Sequence, residues 1–511
     1  MNKFFFTGFF VLTISSLFSC KQQVEKRPNV IVILTDDQEI EEIAKLKGMV
    51  LTPNMDRIAT DGVILDKYYV NSPVCSPSRY SLLTGRYASR NKNIEALYPA
   101  NEPAFIRWNT DLIAGKEQTI AHIMKDNGYA TGMVGKWHLG QPLAEETYFE
   151  TNNLDPYQPE VASRIKSFYK GMQDYVKKAG GFDYVESLYG NNLHALGLPA
   201  TVQQHNMEWV TKGALDFLEQ NNPEKTDKPF FLYFAPMPPH LPDPVVSMRS
   251  DPRITPSGIL KEPITGVQPS RKSVFERVKA AGFDQSTAHL TWLDDGIGAL
   301  LQKLEEMKTL DNTIILFMSD NGCHVGKMTC YEVAAHMPAM IMWNNKIKSN
   351  THNKQLFSNI DILPTILDAC NIEKPKGFFV DGISMLPAIM HGKPTNRDFL
   401  YLEVVYQRSI ITDKWQYIAT RFPSDVQNNI TPSNRKLYSI EGEKQPDRYE
   451  AEKYFPGYFD DDQLYNLAND PNEQKNIASN PKNADQLSAM KERLDTVVAS
   501  LYNSFGEFGK K

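Results

Sequence analysis

The stretch NVIVILTDD, residues 29–37, decides the fold of this 511-residue chain. Its apolar run is continuous and rich in β-branched residues, which is typical of a strand buried on both faces of a parallel sheet. A second run of this kind, NTIILFMSDNG, occupies residues 312–322. Both runs end abruptly in carboxylate or amide side chains. Because ligands bind beyond the carboxyl ends of strands in open α/β sheets, we expect Asp37 and Asp320 to meet in one site.

Strand-like and helical patterns alternate around these two runs. The stretches GYATGMVGKWHLG (128–140) and KPFFLYFAPMPPH (228–240) are also apolar runs of strand length. Apolar residues recur at helical spacing over 289–305. Shorter helical patterns occupy 117–127, 206–220 and 359–369. This alternation favours an α/β layer architecture.

The turn cluster HGKPTNRD at 391–398 marks a change in composition. It separates a larger domain over 29–390, which carries the acidic strand ends, from a predicted smaller α+β domain over 391–511. Two further stretches, about 141–200 and 241–283, are rich in turn residues. We therefore expect long irregular inserts there, at the rim of a functional site.

The N-terminal sequence MNKFFFTGFFVLTISSLFSC predicts a signal peptide over residues 1–19. The tetrapeptide LFSC at 17–20 resembles a bacterial lipobox, which would make Cys20 the lipidated first residue. Plain signal cleavage is the alternative. Residues 20–28 would then form a linker. We expect an exported protein, periplasmic or held at the outer membrane as a lipoprotein, with no membrane contact other than this anchor.

The composition is that of an ordinary globular protein, with 41% hydrophobic and 23% charged residues. A net charge of −6 argues against a nucleic-acid partner, so an anionic substrate would need a local cluster of cations. Besides Cys20 there are four cysteines, too few for a disulfide framework: Cys75, Cys323, Cys330 and Cys370. Cys323 and Cys330 could form a disulfide or remain free thiols.

The acidic strand ends supply hard oxygen ligands of the kind that Ca²⁺ or Mg²⁺ prefers. These side chains are Asp36, Asp37, Asp320 and Asn321. A single acidic strand end is more simply explained by capping of the turn that follows. Two such ends on similar strands favour a divalent cation.

Several cationic or titratable side chains follow the predicted strands. Lys136 and His138 are two residues apart on an extended segment, so they should face the same way. His240 follows a strand and two prolines, and Lys327 lies six residues after Asn321. Each alone is more simply a surface charge or a hydrogen-bonded histidine. Together with a dication they would form a pocket for a tetrahedral anion such as phosphate or sulfate.

The stretch NSPVCSPSRYSLLTGR, residues 71–86, places a cysteine between prolines. Pro77 is typical of the first turn of a helix, which puts Cys75 at a helix N-terminus. Because such an end attracts anions and lowers the pKa of a thiol, we expect a reactive nucleophile beside an anion site. A structural loop cysteine is the alternative that spacing leaves open.

Residues 75–86, CSPSRYSLLTGR, match the signature C-x-P-S-R-x4-T-G-R of the formylglycine-dependent sulfatases. Weaker matches follow in that family's order along nearly the whole mature chain: VILTDDQ, GYATGMVGKWHLG, FFLYFAPMPPHLP, SDNG, KMTCYE and LYNLANDPNEQKNIA. The sequence therefore resembles the type I sulfatases of the alkaline-phosphatase-like superfamily, and among them a bacterial glycan sulfatase. The resemblance implies a large mixed sheet sandwiched by helices, with a smaller C-terminal α+β domain that carries an antiparallel sheet.

The resemblance also implies a modified residue and a metal ion. A formylglycine-generating or anaerobic maturation enzyme would oxidise Cys75 to formylglycine (3-oxoalanine), whose aldehyde is hydrated to a diol. One Ca²⁺ would be bound, with Mg²⁺ the less favoured ion, and no organic cofactor is expected. The ligands would be residue 75 together with Asp36, Asp37, Asp320 and Asn321.

The remaining residues would act on the sulfate group. Arg79 would stabilise the diol. Lys136, His240 and Lys327 would bind the sulfate group. One diol oxygen would attack sulfur while the alcohol leaves with a proton from His240 or Lys327. His138 would then remove the proton of the second hydroxyl, so that sulfate departs and the aldehyde returns.

We expect the substrate to be a sulfated carbohydrate, since an exported lipoprotein with long rim inserts suits glycan degradation. Candidate sugar contacts are Asn191, His194, Trp209, Arg408 and Trp415. One alternative is a phosphonate monoester or phosphodiester hydrolase of the same superfamily, and another is a lipoprotein that binds sulfated glycans without hydrolysing them. The sequence departs from the family pattern at His336, which stands where arginine is common, at a corner between a helix and a strand.

Overall fold

The computed structural model describes Met1 and residues 26–141, 154–323, 326–431 and 451–510. Apart from Met1, the predicted signal peptide (1–19) lies outside these residues, as does Cys20. None of the helices that the structure describes combines the length and the apolar character that a membrane crossing requires.

The larger sheet is mixed. In the described residues the first ten strands are β1 (Asn29–Thr35), β2 (Val63–Tyr69), β3 (Ala130–Lys136), β4 (Tyr184–Tyr189), β5 (Phe230–Ala235), β6 (Ile254–Thr255), β7 (Gly258–Ile259), β8 (Thr313–Ser319), β9 (Ala339–Met342) and β10 (Thr351–Ser358). Eight of these described strands form one sheet in the order β10-β2-β9-β8-β1-β5-β3-β4, whereas β6 and β7 pair as a short hairpin. β9 runs antiparallel to both its neighbours, and the other pairs are parallel. The predicted fold class is confirmed.

β1 lies inside this sheet, between β5 and β8. Every residue of β1 and of β8 is buried, as the continuous apolar runs predict. The parallel register aligns Thr35 with Ser319, so the two strands end at the same edge of the sheet. The acidic residues that follow each strand are therefore brought together.

Fifteen α-helices lie in the described residues. They are α1 (Pro53–Asp61), α2 (Cys75–Thr84), α3 (Lys92–Leu97), α4 (Ile120–Asp126), α5 (Pro159–Gly180), α6 (Met207–Gln220), α7 (Pro244–Arg249), α8 (Arg271–Ala280), α9 (Ala288–Glu306), α10 (Glu332–Ala335), α11 (Ile362–Ala369), α12 (Leu386–His391), α13 (Ser424–Asn429), α14 (Ala451–Tyr454) and α15 (Ala484–Ala499). The helical patterns of the sequence correspond to α4, α6, α9 and α11. All residues of α2 are buried, so this helix is enclosed on every side.

The prediction of long irregular inserts is wrong for much of both stretches. α5 and β4 lie in the first one, and β4 adds an edge strand to the large sheet. α5 is amphipathic and buries one face, which includes Ile165, Phe168 and Met172. α7, α8 and the β6–β7 hairpin lie in the second stretch. The abundance of turn residues concealed these patterns.

The C-terminal sheet is separate and antiparallel, as predicted. Its strands in the described residues are β11 (Leu400–Val404), β12 (Gln407–Ile411), β13 (Trp415–Thr420) and β14 (Asp462–Asn466), paired in that order. α15 packs against β12 and β13. Leu402 and Tyr465 share a buried cluster with Val74, the residue before Cys75, so this sheet supports the start of α2. The boundary between residues 390 and 391 stays a prediction.

Candidate active site

The acidic residues after β1 and β8 form one buried cluster. The backbone N–H of Asp37 donates to Oδ1 of Asp320 at 3.1 Å. Nδ2 of Asn321 donates to Oδ1 of Asp37 at 2.6 Å. Asp37 has a φ of 65°, a left-handed conformation in which the chain turns away from the direction of the strand. With Asp36, these side chains are at most 2% exposed, so their charges are shielded from water.

Two lysines neutralise part of this charge. Lys136, the last residue of β3, donates to Oδ2 of Asp36 at 2.5 Å. Nζ of Lys327 donates to both oxygens of Asp37, at 2.5 and 2.8 Å. Each lysine therefore approaches a different carboxylate, and the two ammonium groups flank the cluster.

Arg79 of α2 forms an ion pair with Asp320, the third carboxylate of the cluster. Its Nε and Nη2 lie 2.9 and 2.8 Å from Oδ2 of Asp320. Its Nη1 donates to the backbone carbonyl of Lys136 at 2.9 Å and lies 3.5 Å from the hydroxyl of Tyr233. Burial lowers the pKa of Arg79, but Asp320 and Tyr233 outweigh burial and raise the pKa, so the guanidinium stays charged. Sequence reasoning missed Tyr233, because nothing distinguishes it from core residues in the apolar run of β5.

The carboxylates of the cluster differ in their pKa. Burial raises the pKa of Asp36, but cations, Lys136 and Arg79 among them, outweigh burial and hold that pKa well below its usual range. For Asp320, burial and the charge of Asp36 prevail and raise the pKa to about 7. Like charges thus remain crowded at this edge of the sheet even with the cations in place.

Cys75 lies at the first position of α2, as predicted, and Val74 precedes it as the N-cap. The thiol is buried, and Nζ of Lys327 lies 3.8 Å from its sulfur. Burial raises the pKa of Cys75 in spite of the charges of Lys136 and Lys327. The expectation of a lowered thiol pKa is therefore wrong. The unmodified side chain is protonated near neutral pH and is a poor nucleophile.

His138 is buried two residues after the end of β3. Its φ is 58°, so the segment is not extended and the alternation that paired it with Lys136 does not apply. Its backbone N–H donates to the carbonyl of Gly190 at 3.0 Å, which continues the pairing of β3 with β4. Burial and the charge of Lys136 hold the pKa of His138 well below its ordinary value, so the ring is neutral near pH 7. Its Nδ1 has no hydrogen-bond partner among the described residues.

His240 follows β5, which runs parallel to β1 and β3 and ends at the same edge of the sheet. Its Nδ1 donates to the carbonyl of Leu241 at 2.8 Å, and its Nε2 lies 3.7 Å from Oδ2 of Asp37. Burial lowers the pKa of His240 to about 3, and the charge of Lys136 acts in the same direction against the opposing carboxylates. Nε2 is therefore the nitrogen available to a ligand.

His205 fixes the backbone that carries His240. Its Nε2 donates to the carbonyls of His240 at 2.9 Å and of Pro242 at 2.8 Å. Its own backbone N–H donates to Oγ of Ser247 at 3.1 Å. Sequence reasoning missed this role, since a histidine just before a predicted helix carries no signal that it contacts a distant loop.

The cluster fits a divalent cation. Oδ1 of Asp36 and Oδ1 of Asn321 are buried without a hydrogen-bond partner in the described part of the chain. Arg79 makes an ion-pair contact of 3.5 Å with the first of them. Four side chains offer ligand atoms within 4.8 Å of one another: Asp36, Asp37, Cys75 and His240. Buried oxygens without partners are costly, and carboxylate and amide oxygens are the ligands that Ca²⁺ and Mg²⁺ prefer.

The structure encloses two of the predicted sugar contacts in protein. Trp209 is buried in the core, with its ring 5.9 Å from Tyr169 and 5.6 Å from Tyr189. Arg408 is buried in the C-terminal sheet, where backbone carbonyls accept its hydrogen bonds. Both predictions are wrong, because each side chain is enclosed by protein. Trp415 begins β13 and packs against the core of the C-terminal sheet.

Asn191 and His194 lie beside the cluster. Both follow Gly190, whose carbonyl accepts the N–H of His138. Asn191 is half-buried and His194 is exposed. Burial and the charge of Lys136 lower the pKa of His194, which places this ring within the electrostatic reach of the site.

The structure also shows the surroundings of the other cysteines and of His336. Cys75, Cys330 and Cys370 are free thiols, so no disulfide joins Cys330 to Cys323 in the described residues. His336 lies at the end of α10, before β9, at the predicted corner between helix and strand. Its Nε2 lies 2.8 Å from the carbonyl of Asp66, and its ring stacks on Tyr69 with centroids 4.9 Å apart. In place of arginine, His336 thus serves local packing.

Comparison with known proteins gives a consistent result. The sulfatase family model matches residues 28–372. The chain is 26% identical to the N-acetylgalactosamine-6-sulfatase of Homo sapiens over 404 residues, which cover 73% of this chain and 68% of that protein. It is 26% identical to the N-acetylgalactosamine-6-O-sulfatase of Bacteroides thetaiotaomicron over 557 aligned residues, which cover 94% of this chain and 97% of that protein.

A solved structure shares the fold. It is a protein in complex with its substrate D-glucosamine-2-N,6-O-disulfate, and it superposes with a TM-score of 0.59 at 21% identity. The superposition covers 92% of this chain and 97% of that one.

Proposed function

Since the chain belongs to the sulfatase family, as a sulfuric ester hydrolase with the alkaline-phosphatase-like fold, we propose that its substrate is a sulfate ester of a carbohydrate. We further propose that the nucleophile is a formylglycine made from Cys75 and that the site holds one Ca²⁺. The observation that carries this proposal is the enclosure of Cys75 by cations and by buried oxygens that lack partners.

The raised pKa of Cys75 supports its role as a precursor. A buried, protonated thiol is a weak nucleophile, so residue 75 would become an effective nucleophile only after a maturation enzyme has converted it. Arg79 and Lys327 would then hold the oxygens on residue 75, since Lys327 already lies 3.8 Å from the sulfur. The diol would provide an attacking oxygen and a second hydroxyl on the same carbon.

The acidic cluster would bind the cation. Its ligands would be residue 75 with Asp36, Asp37, Asp320 and Asn321. When bound, the cation draws charge from the sulfate oxygens and so makes sulfur easier to attack. The lysines would keep their positions on either side of the sulfate group and stabilise the charge that develops there.

The histidines would move the protons. His138 is neutral near pH 7, so it can accept a proton from the second hydroxyl at the end of the cycle. His240 is neutral in the free protein, and the negative sulfate group would raise its pKa when the substrate binds. His240 or Lys327 would then give a proton to the leaving sugar oxygen.

Two observations support a carbohydrate substrate: the names of the related proteins, and the polar side chains that lie beside the acidic cluster. The named relatives act on sulfated amino sugars, as their names state. Asn191 and His194 lie beside His138 and offer polar groups that could bind sugar hydroxyls. A phosphonate monoester or phosphodiester hydrolase is the alternative within the superfamily, and a non-catalytic glycan-binding lipoprotein is the alternative outside enzymes.

The test uses the full chain coexpressed with a maturation enzyme. We expect sulfate release from 6-O-sulfated N-acetylgalactosamine or N-acetylglucosamine, loss of turnover with a calcium chelator and recovery with Ca²⁺. We also expect a hydrazide probe to label the tryptic peptide that ends at Arg79, because it carries an aldehyde. Faster turnover of an aryl phosphodiester would favour the phosphodiesterase, and a peptide with an intact thiol would overturn the proposed nucleophile.

We also propose that the protein is exported and anchored through Cys20. A Cys20→Ser variant should lose incorporation of labelled palmitate while the wild type retains it. Labelling that persists in the variant would contradict the anchor.

A further inference from the structure

The loop over 105–112 presents an aromatic ring with a cation stacked on it. Trp108 is 42% exposed and is the most exposed of the six tryptophans of the chain. Cζ of Arg107 lies 3.8 Å from the centroid of the Trp108 ring, a cation–π contact. A single exposed aromatic side chain needs no explanation by itself. What distinguishes this one is its attachment to the active site.

The C-terminal half of the loop is tied to residues next to the catalytic ones. Oγ1 of Thr110 lies 3.0 Å from Oγ of Ser76, the neighbour of Cys75. The N–H of Leu112 donates to the carbonyl of Leu139, the neighbour of His138, at 3.2 Å. The chain from Thr110 to Leu112 therefore passes from the neighbour of the nucleophile position to the neighbour of the proposed base, and Trp108 lies two residues before the first of these ties.

The N-terminal half of the loop is tied to the C-terminal sheet. Ile106 and Val405 exchange backbone hydrogen bonds of 2.7 and 3.3 Å at the turn between β11 and β12. The ring of Phe105 lies 5.0 Å from that of Tyr406, which in turn lies 5.2 Å from the ring of Phe422. Because both halves are fixed, little ordering would be needed when a ligand binds Trp108.

We propose that Trp108 and Arg107 form a binding subsite for the sugar that neighbours the sulfated sugar in the chain of the substrate. The inference rests on the proposed function and deepens it: the substrate is an oligosaccharide rather than a free monosaccharide. The exposed part of the indole would stack on the apolar C–H face of the neighbouring ring. The Arg107 guanidinium would attract a sulfate or carboxylate substituent on that ring.

The test compares substrates of different length with the matured enzyme. For wild type and Trp108→Ala we would measure kcat/KM on a 6-O-sulfated disaccharide, on the corresponding monosaccharide and on nitrophenyl sulfate. We expect the ratio of disaccharide to monosaccharide kcat/KM to fall about tenfold in the variant, through a higher KM. Arg107→Gln should lower the same ratio only when the neighbouring sugar carries an anionic group.

Phe379→Ala is the matched control. Phe379 is 50% exposed and lies under the Arg90 guanidinium at 4.7 Å, so it repeats the exposed aromatic ring with a stacked arginine. Arg86, just beyond the C-terminal end of α2, donates to the Phe379 carbonyl. Cys75 begins that helix, and ten residues of helix separate its ends by about 15 Å. The ratio should be unchanged in this variant.

The outcomes separate this inference from the proposed function. If the wild type releases sulfate from the monosaccharide as fast as from the disaccharide and Trp108→Ala leaves the ratio intact, the subsite is refuted while the sulfatase function stands. If all three substrates lose rate equally, Trp108 acts on the fold of the rim and the subsite is also refuted. If the wild type cleaves nitrophenyl sulfate but no sulfated sugar, the carbohydrate proposal fails and the subsite with it.

Discussion

Two groups of buried charges lie in this molecule, one at the edge of the large sheet and one in the C-terminal sheet. Asp36, Asp320 and Arg79 in the first group are fully buried, as is Glu403 in the second, beside Arg408. By burial alone the two groups cannot be told apart. The difference lies in whether each polar atom has a partner.

In the second group, the charged side chains of Arg408 and Glu403 both have partners. Arg408 donates to the carbonyls of Ala104, Val405 and Gln407. Glu403 accepts hydrogen bonds from the N–H of Ser89 and the hydroxyl of Tyr401, at 2.9 and 3.0 Å. Such a network is self-sufficient, because every charge is compensated within the protein.

At the edge of the large sheet the partners are incomplete. Oδ1 of Asp36, Oδ1 of Asn321 and Nδ1 of His138 are buried without hydrogen bonds in the described part of the chain. A folded protein tolerates such atoms at a cost, and that cost is offset when a ligand supplies the missing partners. The two charge groups therefore differ in the pairing of their own polar atoms rather than in burial or charge, although single unpaired atoms also occur among the described residues of the C-terminal sheet, such as Oε1 of Gln416 and Oδ1 of Asn466.

The largest expected effect comes from removing the nucleophile position. Cys75→Ala should reduce sulfate release by about 10⁴-fold or more, as loss of a nucleophile does in other hydrolases, with thermal unfolding close to that of the wild type. Cys370→Ala, which removes another buried thiol at the end of α11, is the control and should keep its turnover. Normal sulfate release by Cys75→Ala would contradict the assignment of catalysis to the charge group at the edge of the large sheet, and the two groups would no longer differ in function.

His240→Ala should act on the departure of the alcohol. We expect a loss of about 10²–10⁴-fold on sugar sulfates, whose leaving groups need a proton, and a much smaller loss on nitrophenyl sulfate. His352→Ala, an exposed histidine on β10, serves as the control for histidine removal. Equal losses on good and poor leaving groups would exclude His240 as the acid and point to Lys327.

The parts of the site that the sequence could predict are those set by strand geometry and by a contiguous signature. Asp37 and Asp320 meet because parallel strands end at one edge, and their strands were recognisable as continuous apolar runs. Cys75 was found because its neighbours form a signature within one short stretch. Both signals are local in sequence, although the site they build is not.

The parts that the sequence could not predict depend on distant packing. Arg408 was expected to bind sugar, but one of its partners is the carbonyl of Ala104, 304 positions away. The low pKa expected of Cys75 follows from a helix N-terminus, whereas burial by other elements raises the pKa of this thiol. His205 escaped notice for the same reason, since its partners lie on the loop after β5.

Breaking the self-sufficient network should cost stability and spare chemistry. Arg408→Met leaves Glu403 buried without its cation, so we expect the free energy of unfolding to fall by about 3 kcal/mol. The kcat/KM per folded molecule should stay at the wild-type value. Lys414→Met, on the exposed turn between β12 and β13, is the control and should change the free energy of unfolding by less than about 0.5 kcal/mol. A lost turnover with unchanged stability would show that Arg408 belongs to the site after all.

A stability effect of similar size, but one that is present only on acidification, is a pH dependence from His205, which joins the site to its surroundings. Burial lowers the pKa of His205 to about 4, from an ordinary value of 6.5. The folded state therefore favours the neutral ring, and the unfolded chain takes up the proton first as the pH falls. The stabilisation is complete above about pH 6.5 and is lost as the pH falls toward about 4, by about 3 kcal/mol in total.

Urea unfolding of the wild type and of His205→Gln between pH 4 and pH 7.5 measures this contribution. Glutamine keeps an N–H donor for the carbonyls of His240 and Pro242 but does not titrate in this range, so the variant should show a shallower loss of stability on acidification. Parallel stability curves for the two proteins would mean that the ring takes up its proton without cost. Nδ1 of His205 is also buried without a hydrogen-bond partner in the described residues, and in that case it would not mark a strained position. The link between incomplete pairing and function would then hold only where a cation or substrate is bound.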